Sequence, residues 1–442
     1  MGAGGAPTRV VQLANLGGAP PGSLAATVEE LGRRYVELGL DRFLVVPGPA
    51  DTRASGPSGW RIEVRSPVVP GAGGRRALTP MSGIGEVLGS LRPDVIEVSD
   101  PLTLAWAGRW GRRAGVPTVL VSHRRVDQAL AARLPRRFPV HRTADAFNRR
   151  LARSVDVVVC TSDYAGQEFA RAGAANVVRV PLGGDLDVFH PGAAKPPVTN
   201  GGRAGGPAEV VYVGRLARDR RPGLVVSALR VLRGRGVAAH LTVVGDGPLR
   251  PELGRLAAGL PVTFAGRIDD RLALAAVLSG ADVAVAPSAG ESFGLSALEA
   301  LACGTPVVVI DGTAAAELVD GRCGLAVGPT VAAVAGAVGE LSAPPVEQRR
   351  AAARRRACRY PWTRTAAGMR LAHELAARSG AGDVVHQRQQ VAAVGGGGGH
   401  GRPDDAGVVA ELGRHDLGRG PQQGQEAAMV LADAPTDDDQ LR

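Results

Sequence analysis

Lysine and aromatic residues are scarce in this chain of 442 residues. Lys195 is the only lysine, so almost all of the positive charge behind the net charge of +10 is carried by arginine. Aromatic residues make up only 3% of the sequence, too few to build the stacking platforms of proteins that bind single-stranded nucleic acid. The arginines are also scattered along the chain. We therefore expect no nucleic acid partner.

Cysteine is also rare, and long apolar runs are missing. The four cysteines are widely spaced and form no C-x-x-C pair, so the sequence indicates neither a zinc site nor a disulfide framework. Such usage is typical of a reducing cytoplasm. No basic segment followed by an apolar run opens the chain, and no apolar run approaches the roughly 18 residues of a spanning helix. We expect a cytoplasmic protein, soluble or peripherally bound to a membrane.

Short apolar segments alternate with Ala- and Leu-rich segments over most of the chain, which predicts an α/β fold with doubly wound parallel sheets. A Pro- and Gly-rich stretch, 190–207, reads as a linker between a first domain, 1–189, and a second, 208–359. Residues 380–442 are rich in Gly, Gln and charge, so we expect a disordered tail. The strands predicted in the first domain are Arg9–Leu16, Phe43–Val46, Val95–Val98, Thr118–Val121 and Val157–Cys160.

Two carboxylates flank the start of a predicted helix in the second domain. Glu291 lies in the loop after an apolar strand, and Glu299 lies on the edge of the apolar stripe that begins at Leu295. A buried carboxylate needs a partner, and ligand hydroxyls would serve. The first-turn amides of the helix, from Phe293 to Leu295, favour an anion. The alternative to a ligand site is that Glu291 interacts with the dipole at the helix N-terminus and that Glu299 is a solvated helix residue.

A second motif, VVYVGRLARDRRPG, ends a strand at Gly214 and leaves Arg215 and Arg220 at its carboxyl end. Ligands bind at such ends in open α/β sheets, and guanidinium groups suit a diphosphate. Arg267 follows another strand, VTFAG, and its plainer interpretation is a surface residue. A basic surface turn is the alternative for Arg218 and Arg221.

These motifs together resemble the retaining GT-B glycosyltransferases of group 1 (family 4). The string from Glu291 through Glu299 matches the E-x7-E motif of that family, with the Ser-Phe-Gly loop between them. The resemblance implies that Glu291 contacts donor-sugar hydroxyls, that the backbone of Phe293 to Leu295 contacts sugar and diphosphate, and that Glu299 accepts from ribose hydroxyls. Arg215 matches the family's Gly-Arg-Leu, and Arg220 stands where the family has lysine.

The first domain resembles actinobacterial GDP-mannose-dependent α-mannosyltransferases over Arg92–Leu130 and Val155–Pro191. The resemblance implies that His123 orients the sugar beside its anomeric centre. It also implies a Gly-Gly loop before the first helix, Leu24–Gly39. The best match to that loop is Gly22 and Ser23, where serine replaces the second glycine, with Gly17 and Gly18 as the alternative match. The residues 360–379 resemble the helix that crosses back to the first domain in this fold.

The resemblance implies transfer of a hexose from a nucleoside diphosphate sugar, favouring GDP-mannose, to a lipid-linked or other hydroxyl acceptor, with no metal. A UDP-sugar donor with a small-molecule acceptor is an alternative. From other classes, a sugar-nucleotide epimerase, a phosphorylase or a catalytically silent sugar-nucleotide-binding protein would suit the same fold.

One segment is denser in arginine than the rest of the chain. The stretch Arg133–Ser154 is basic and amphipathic, which is typical either of a peripheral contact with anionic lipid at the inner face of the plasma membrane or of a solvated helix. The sequence leaves both interpretations open.

Overall fold

The computed structural model contains two sheets with helices on both faces of each. It describes residues 8–16, 23–69, 74–80, 82–100, 103–131, 134–135, 137–193, 206–288, 290–344 and 346–379. Gly22, most of the predicted linker and the predicted tail 380–442 therefore lie outside the described residues. Within the described ranges, no helix is long and apolar enough to cross a membrane.

Among the described residues, the first sheet has eight strands. They are β1 (Arg9–Leu13), β2 (Asp41–Gly48), β3 (Thr52–Gly56), β4 (Gly59–Arg65), β5 (Val95–Val98), β6 (Thr118–Ser122), β7 (Val157–Cys160) and β8 (Val177–Arg179). Their order is β3-β4-β2-β1-β5-β6-β7-β8. The helices around it are α1 (Ser23–Glu37), α2 (Ile84–Leu91), α3 (Trp106–Ala114), α4 (Val126–Ala131), α5 (Val140–Ala152) and α6 (Asp163–Arg171). We call this sheet with α1 to α6 the N-terminal lobe.

In the part of the chain that the structure describes, the second sheet has six strands, and all of them are parallel. They are β9 (Ala208–Val213), β10 (Ala239–Val244), β11 (Val262–Gly266), β12 (Val283–Ala286), β13 (Val307–Ile310) and β14 (Gly324–Val327), in the order β11-β10-β9-β12-β13-β14. The helices are α7 (Pro222–Gly234), α8 (Arg250–Leu256), α9 (Arg271–Gly280), α10 (Leu295–Ala302), α11 (Val331–Ser342) and α12 (Val346–Ala357). We call this sheet with α7 to α12 the C-terminal lobe.

The prediction of two doubly wound sheets is confirmed, with one correction. The N-terminal sheet is not wholly parallel, because β3 pairs antiparallel with β4 at its edge, in register from Thr52 with Glu63 to Gly56 with Gly59. Every residue of β3 is exposed, so its sequence TRASG lacks the apolar alternation that identifies a strand. The first strand also stops at Leu13, three residues before its predicted end.

The last helix, α13 (Trp362–Ser379), packs against the N-terminal lobe. Its Ala366, Met369 and Ala372 join the same apolar cluster as Tyr35 of α1 and Val119 of β6. Apolar burial of this kind stabilises by about 25 cal/mol per Å² of area removed from water. The chain therefore returns to its first lobe after completing the second.

A buried polar network reinforces this packing. Glu97 of β5 is fully buried and accepts hydrogen bonds from Tyr35, from His373 of α13 at 2.5 Å and from Gln12 at 2.7 Å. Burial alone would raise the pKa of Glu97, but these bonds, led by the one from His373, lower it below its ordinary value. A buried carboxylate is tolerated when its oxygens are satisfied in this way.

Candidate functional site

The two best-marked motifs of the sequence meet at the switch point of the second sheet. Strand order reverses between β9 and β12, and ligands bind at the carboxyl ends of strands at such points. The Gly214–Arg215 turn follows β9, and the loop that carries Glu291 follows β12. Because neighbouring strands lie about 4.8 Å apart, the fold brings both motifs to one spot.

Close backbone contacts hold the strand ends of this lobe together. Gly214 N donates to Val244 O at 3.0 Å, and Gly245 N donates to Gly266 O at 2.7 Å. Gly245 has φ +130, and a Cβ there would strike the Gly214 carbonyl. The Gly-Asp-Gly turn after β10 is thus required by the approach of the segment that carries Arg215.

Arg220 binds Glu291 directly. Its Nη1 forms an ion pair with Glu291 Oε1 and lies 3.3 Å from Ser288 Oγ. Burial, together with the like charges of Arg215 and Arg124, lowers the pKa of Arg220 from its ordinary value. The structure therefore places two predicted site residues in contact.

Arg215 lies nearby but is exposed. Its Nη2 pairs with Asp219 at 3.0 Å. Arg267 pairs with its neighbour Asp269. It follows β11, which is two strands away from β9, so it lies about 10 Å to the side of the switch point.

The Glu291 loop passes into α10 through a glycine that no other residue could replace without strain. Gly294 has φ +99, and a Cβ would lie 2.9 Å from the Cβ of Ala315. Gly294 provides no side-chain cap, and among the described residues no side chain accepts a hydrogen bond from the first amides of α10. Phe293 is buried against Tyr360, with ring centroids 6.0 Å apart, which leaves its backbone as the available contact.

Glu299 lies on α10, partly buried beneath this loop. Burial raises its pKa to about 7, with the charge of Arg271 opposing the shift and that of Asp185 adding to it. Arg271 Nη1 pairs with Asp185 Oδ2 at 2.9 Å. The sequence did not single out these two residues, which belong to segments 86 positions apart.

His123 follows β6 on the other lobe and joins the Glu291 loop through a single residue. Ser292 Oγ donates to His123 O at 2.8 Å. The carbonyl of Ser292 accepts from Thr161 Oγ1 at 2.8 Å and from Ser162 Oγ at 2.6 Å. All three hydroxyl-bearing residues are buried. The carboxyl ends of strands from both sheets therefore meet around Ser292, which the sequence identified only as part of a motif.

A second contact joins the lobes beside it. Glu317 accepts from the amides of Asp163 at 3.0 Å and Tyr164 at 2.7 Å, which are first-turn donors of α6. It also pairs with Arg179 at 3.0 Å. A carboxylate of one lobe thus caps a helix of the other.

The His123 imidazole is neutral at physiological pH. Burial lowers its pKa to about 4, against the opposing charge of Glu97. A neutral imidazole can donate one hydrogen bond and accept another, but it does not add charge to a diphosphate site.

Of the predicted loop before α1, Gly22 lies outside the described residues, and Ser23 is the first residue of the helix. Among the described residues, no group of three His, Cys, Asp or Glu side chains could hold a metal ion.

Two family models match the chain. Residues 22–183 match the description "Glycosyl transferase 4-like domain", and residues 207–343 match "Glycosyl transferases group 1". A relative from Mycobacterium tuberculosis, strain H37Ra, is 44% identical over 362 residues, which cover 82% of this chain and 94% of the relative. The chain belongs to the group 1 glycosyltransferases.

The resemblance predicted from the motifs is therefore confirmed, and this group 1 enzyme transfers a glycosyl unit from a sugar nucleotide. The mycobacterial relative is described as a GDP-mannose-dependent alpha-(1-6)-phosphatidylinositol dimannoside mannosyltransferase. A relative from Mycolicibacterium smegmatis, described as the corresponding monomannoside mannosyltransferase, is 34% identical over 62% of this chain and 74% of its own length.

Solved structures show the same fold. A sucrose-phosphate synthase from Thermosynechococcus elongatus is similar with a TM-score of 0.65 at 22% identity, covering 84% of this chain and all of its own. A glycosyltransferase from Rickettsia africae is similar with a TM-score of 0.63 at 14% identity, over 84% of this chain and 98% of its own. The predicted GT-B architecture is confirmed by this agreement.

Proposed function

We propose that the enzyme transfers mannose from GDP-mannose to a hydroxyl of a lipid-linked acceptor, with retention of anomeric configuration. The observation that carries the choice of donor and acceptor is the mycobacterial relative, which this chain covers over 94% of its length. Its description includes GDP-mannose and a phosphatidylinositol mannoside. The site residues proposed below rest on the contacts among the described residues.

We assign the diphosphate to Arg215, Arg220 and the first-turn amides of α10. Departure of the diphosphate builds negative charge, and fixed donors in a partly dry site stabilise such charge strongly. Arg220 pairs with Glu291 at this point. The diphosphate replaces Glu291 on the guanidinium, which frees that carboxylate to accept hydrogen bonds from the sugar.

We assign the ribose to Glu299 and the sugar face to His123. An ionised Glu299 accepts hydrogen bonds from a pair of hydroxyls. The neutral His123 ring contributes a hydrogen bond and no charge, which suits a sugar hydroxyl. The Ser292 contacts hold the His123 segment against the Glu291 loop, so the acceptor hydroxyl would enter from the N-terminal lobe. Gly214 shapes the diphosphate turn, and Gly22 with Ser23 is assigned to the acceptor side.

We place the reaction at the inner face of the plasma membrane, where a lipid acceptor would be reached without a spanning helix. What supports this is the lipid acceptor that the description of the mycobacterial relative names. The described part of the basic segment, with α5 at its centre, would face the lipid.

Radiolabelled GDP-mannose, incubated with and without a lipid extract, tests the proposal. We expect labelled lipid only when extract and enzyme are both present, and a large loss with Glu291→Gln but not with the exposed control Glu347→Gln. A changed sugar without any acceptor would indicate an epimerase, and released sugar phosphate a phosphorylase. Transfer from a UDP-sugar and not from GDP-mannose would show that the proposed donor is wrong. Binding without turnover would identify a silent protein.

A further inference from the structure

Five arginines line one concavity on the N-terminal lobe, away from the site described above. Its volume is about 470 Å³. That is within the range of ligand pockets, roughly 300–1,000 Å³. We call it the arginine pocket, and it is lined by Arg109, Arg112, Ala146, Arg149, Arg150, Arg153 and Ser154.

Two glycines of α3 bring these arginines together. A Cβ at Gly108 would strike the carbonyl of Ser154, and one at Gly111 would strike the hydroxyl of Thr118. The helix therefore lies against the end of α5 and the start of β6 with no side chain between them. Close packing of the two backbones places Arg109 beside the arginines of α5 despite their like charge.

No carboxylate lines the pocket, and among the described residues none of its five arginines forms an ion pair. Arg112 Nη1 donates to Arg153 O at 2.7 Å, and Arg149 Nε donates to Ala172 O at 3.1 Å. These carbonyls fix two guanidinium groups without neutralising them. Arg171 on the neighbouring helix is, by contrast, paired with two carboxylates. All five arginines are exposed, so solvent and salt screen part of their mutual repulsion, and a bound anion would lower it further.

The pocket lies at the opposite end of the strands from the donor site that we propose. Arg112 is near the end of α3, just before β6, and Arg153 and Ser154 come just before β7. Both positions adjoin the amino ends of strands, whereas His123 follows the carboxyl end of β6. A strand of that length spans about 13 Å, so a ligand in the pocket would not touch the sugar site.

We propose that the arginine pocket binds a phosphate group, as a site separate from the donor diphosphate. Guanidinium groups contact phosphate oxygens in pairs, and several converging arginines are a typical phosphate receptor. The chemistry is common to a phospholipid headgroup and to a soluble pyrophosphate-like anion. This proposal does not depend on whether the donor is GDP-mannose.

The test uses a triple variant, Arg109→Gln with Arg150→Gln and Arg153→Gln, whose side chains form no hydrogen bond among the described residues. The matched control removes the same charge from the exposed surface of the C-terminal lobe, through Arg235→Gln, Arg255→Gln and Arg322→Gln. Substitutions at such exposed positions change stability little, which a thermal melt of each protein verifies.

Two arms distinguish the source of the phosphate. In the first, inorganic pyrophosphate is titrated by calorimetry. The wild type and the control should show two binding sites, and the pocket variant should show only the proposed donor diphosphate site. In the second, the pocket variant should bind vesicles of phosphatidylcholine and phosphatidylglycerol, in a three-to-one ratio, at least about tenfold more weakly than the control.

Loss in the vesicle arm identifies a lipid headgroup as the source, and loss in the pyrophosphate arm alone identifies a soluble anion. Either result supports the pocket as a phosphate site. If the pocket variant and its control behave alike in both arms, the proposal is wrong.

Discussion

The two lobes contribute to the proposed donor site in different ways. In the C-terminal lobe, charged groups converge at one switch point, where Arg220 and Glu291 neutralise each other. In the N-terminal lobe, the groups that meet this segment include the neutral, partly buried His123 ring and the buried hydroxyls of Thr161 and Ser162, with the exposed Arg124 next to His123. This difference fits the site that we propose, in which the C-terminal lobe stabilises charge and the N-terminal lobe positions the sugar.

The strongest test of this comparison is the removal of a cleft arginine. We expect Arg220→Gln to lower kcat by about 10²–10³, because a preorganised donor to the leaving group is lost. Steady-state kinetics with saturating donor would measure it. Arg218→Gln, on the same turn but exposed, is the matched control and should retain full activity. Equal losses in both variants would show that general charge, not position, matters.

The pH dependence of donor binding is the second test of the roles proposed for the two lobes. The pKa of Glu299 is raised to about 7, and the ribose contact that we propose uses its ionised form, so donor KM should fall as pH rises from 6 to 8. The change in ionised fraction allows a fall of up to about tenfold. Glu299→Gln should flatten the profile. His123→Asn should leave its shape unchanged, because the pKa of His123, about 4, lies below this window. If the pH profile of donor KM changed with His123→Asn and not with Glu299→Gln, the titrating group would be His123 and not Glu299.

A smaller effect is expected from the contact that joins the lobes. Ser292→Ala removes one buried hydrogen bond to His123 O, worth about 1 kcal/mol, so we expect kcat to fall about fivefold. Donor KM should change little because Ser292 touches the opposite lobe and not the donor. Ser227→Ala on α7 is the control. A change in donor KM without a change in kcat would place Ser292 in the donor site itself.

The last expected effect concerns the stability of the donor-free protein and not its activity. The pKa of the partly buried Glu299 is raised to about 7 in the folded protein, whereas in the unfolded chain this carboxyl ionises near 4.5. Wild-type stability should therefore fall as the pH rises across that window, by up to about 3 kcal/mol, and by less where solvent screens the carboxylate. Glu299→Gln should equal the wild type at the acid end and melt a few degrees higher at pH 8. An equal offset at both pH values would contradict a titrating Glu299.

Local patterns predicted most of the elements that build the donor side. The helix after Gly294 follows from its apolar spacing, and the strands before Gly214 and Glu291 follow from their branched apolar runs. The hairpin of β3 and β4 was not predicted, because its edge strand carries no apolar face. Predictions based on periodicity succeed where one face is buried and fail where neither is.

Contacts between distant segments could not be predicted. Ser292 contacts Thr161 across 131 positions, and the sequence of neither segment predicts this contact. The Arg220 and Glu291 pair depends on the sheet order, which brings β9 beside β12. Likewise, the arginine pocket combines α5, noted as basic in the sequence, with α3, whose glycines alone explain the close approach.

A crystal structure with bound GDP is the most direct test of the account. We predict that the diphosphate oxygens lie within hydrogen-bonding distance of Arg215 and Arg220, that the ribose hydroxyls contact Glu299, and that Glu291 is released from Arg220. A diphosphate bound elsewhere, with the Arg220 and Glu291 pair intact, would contradict the site proposed for this glycosyltransferase.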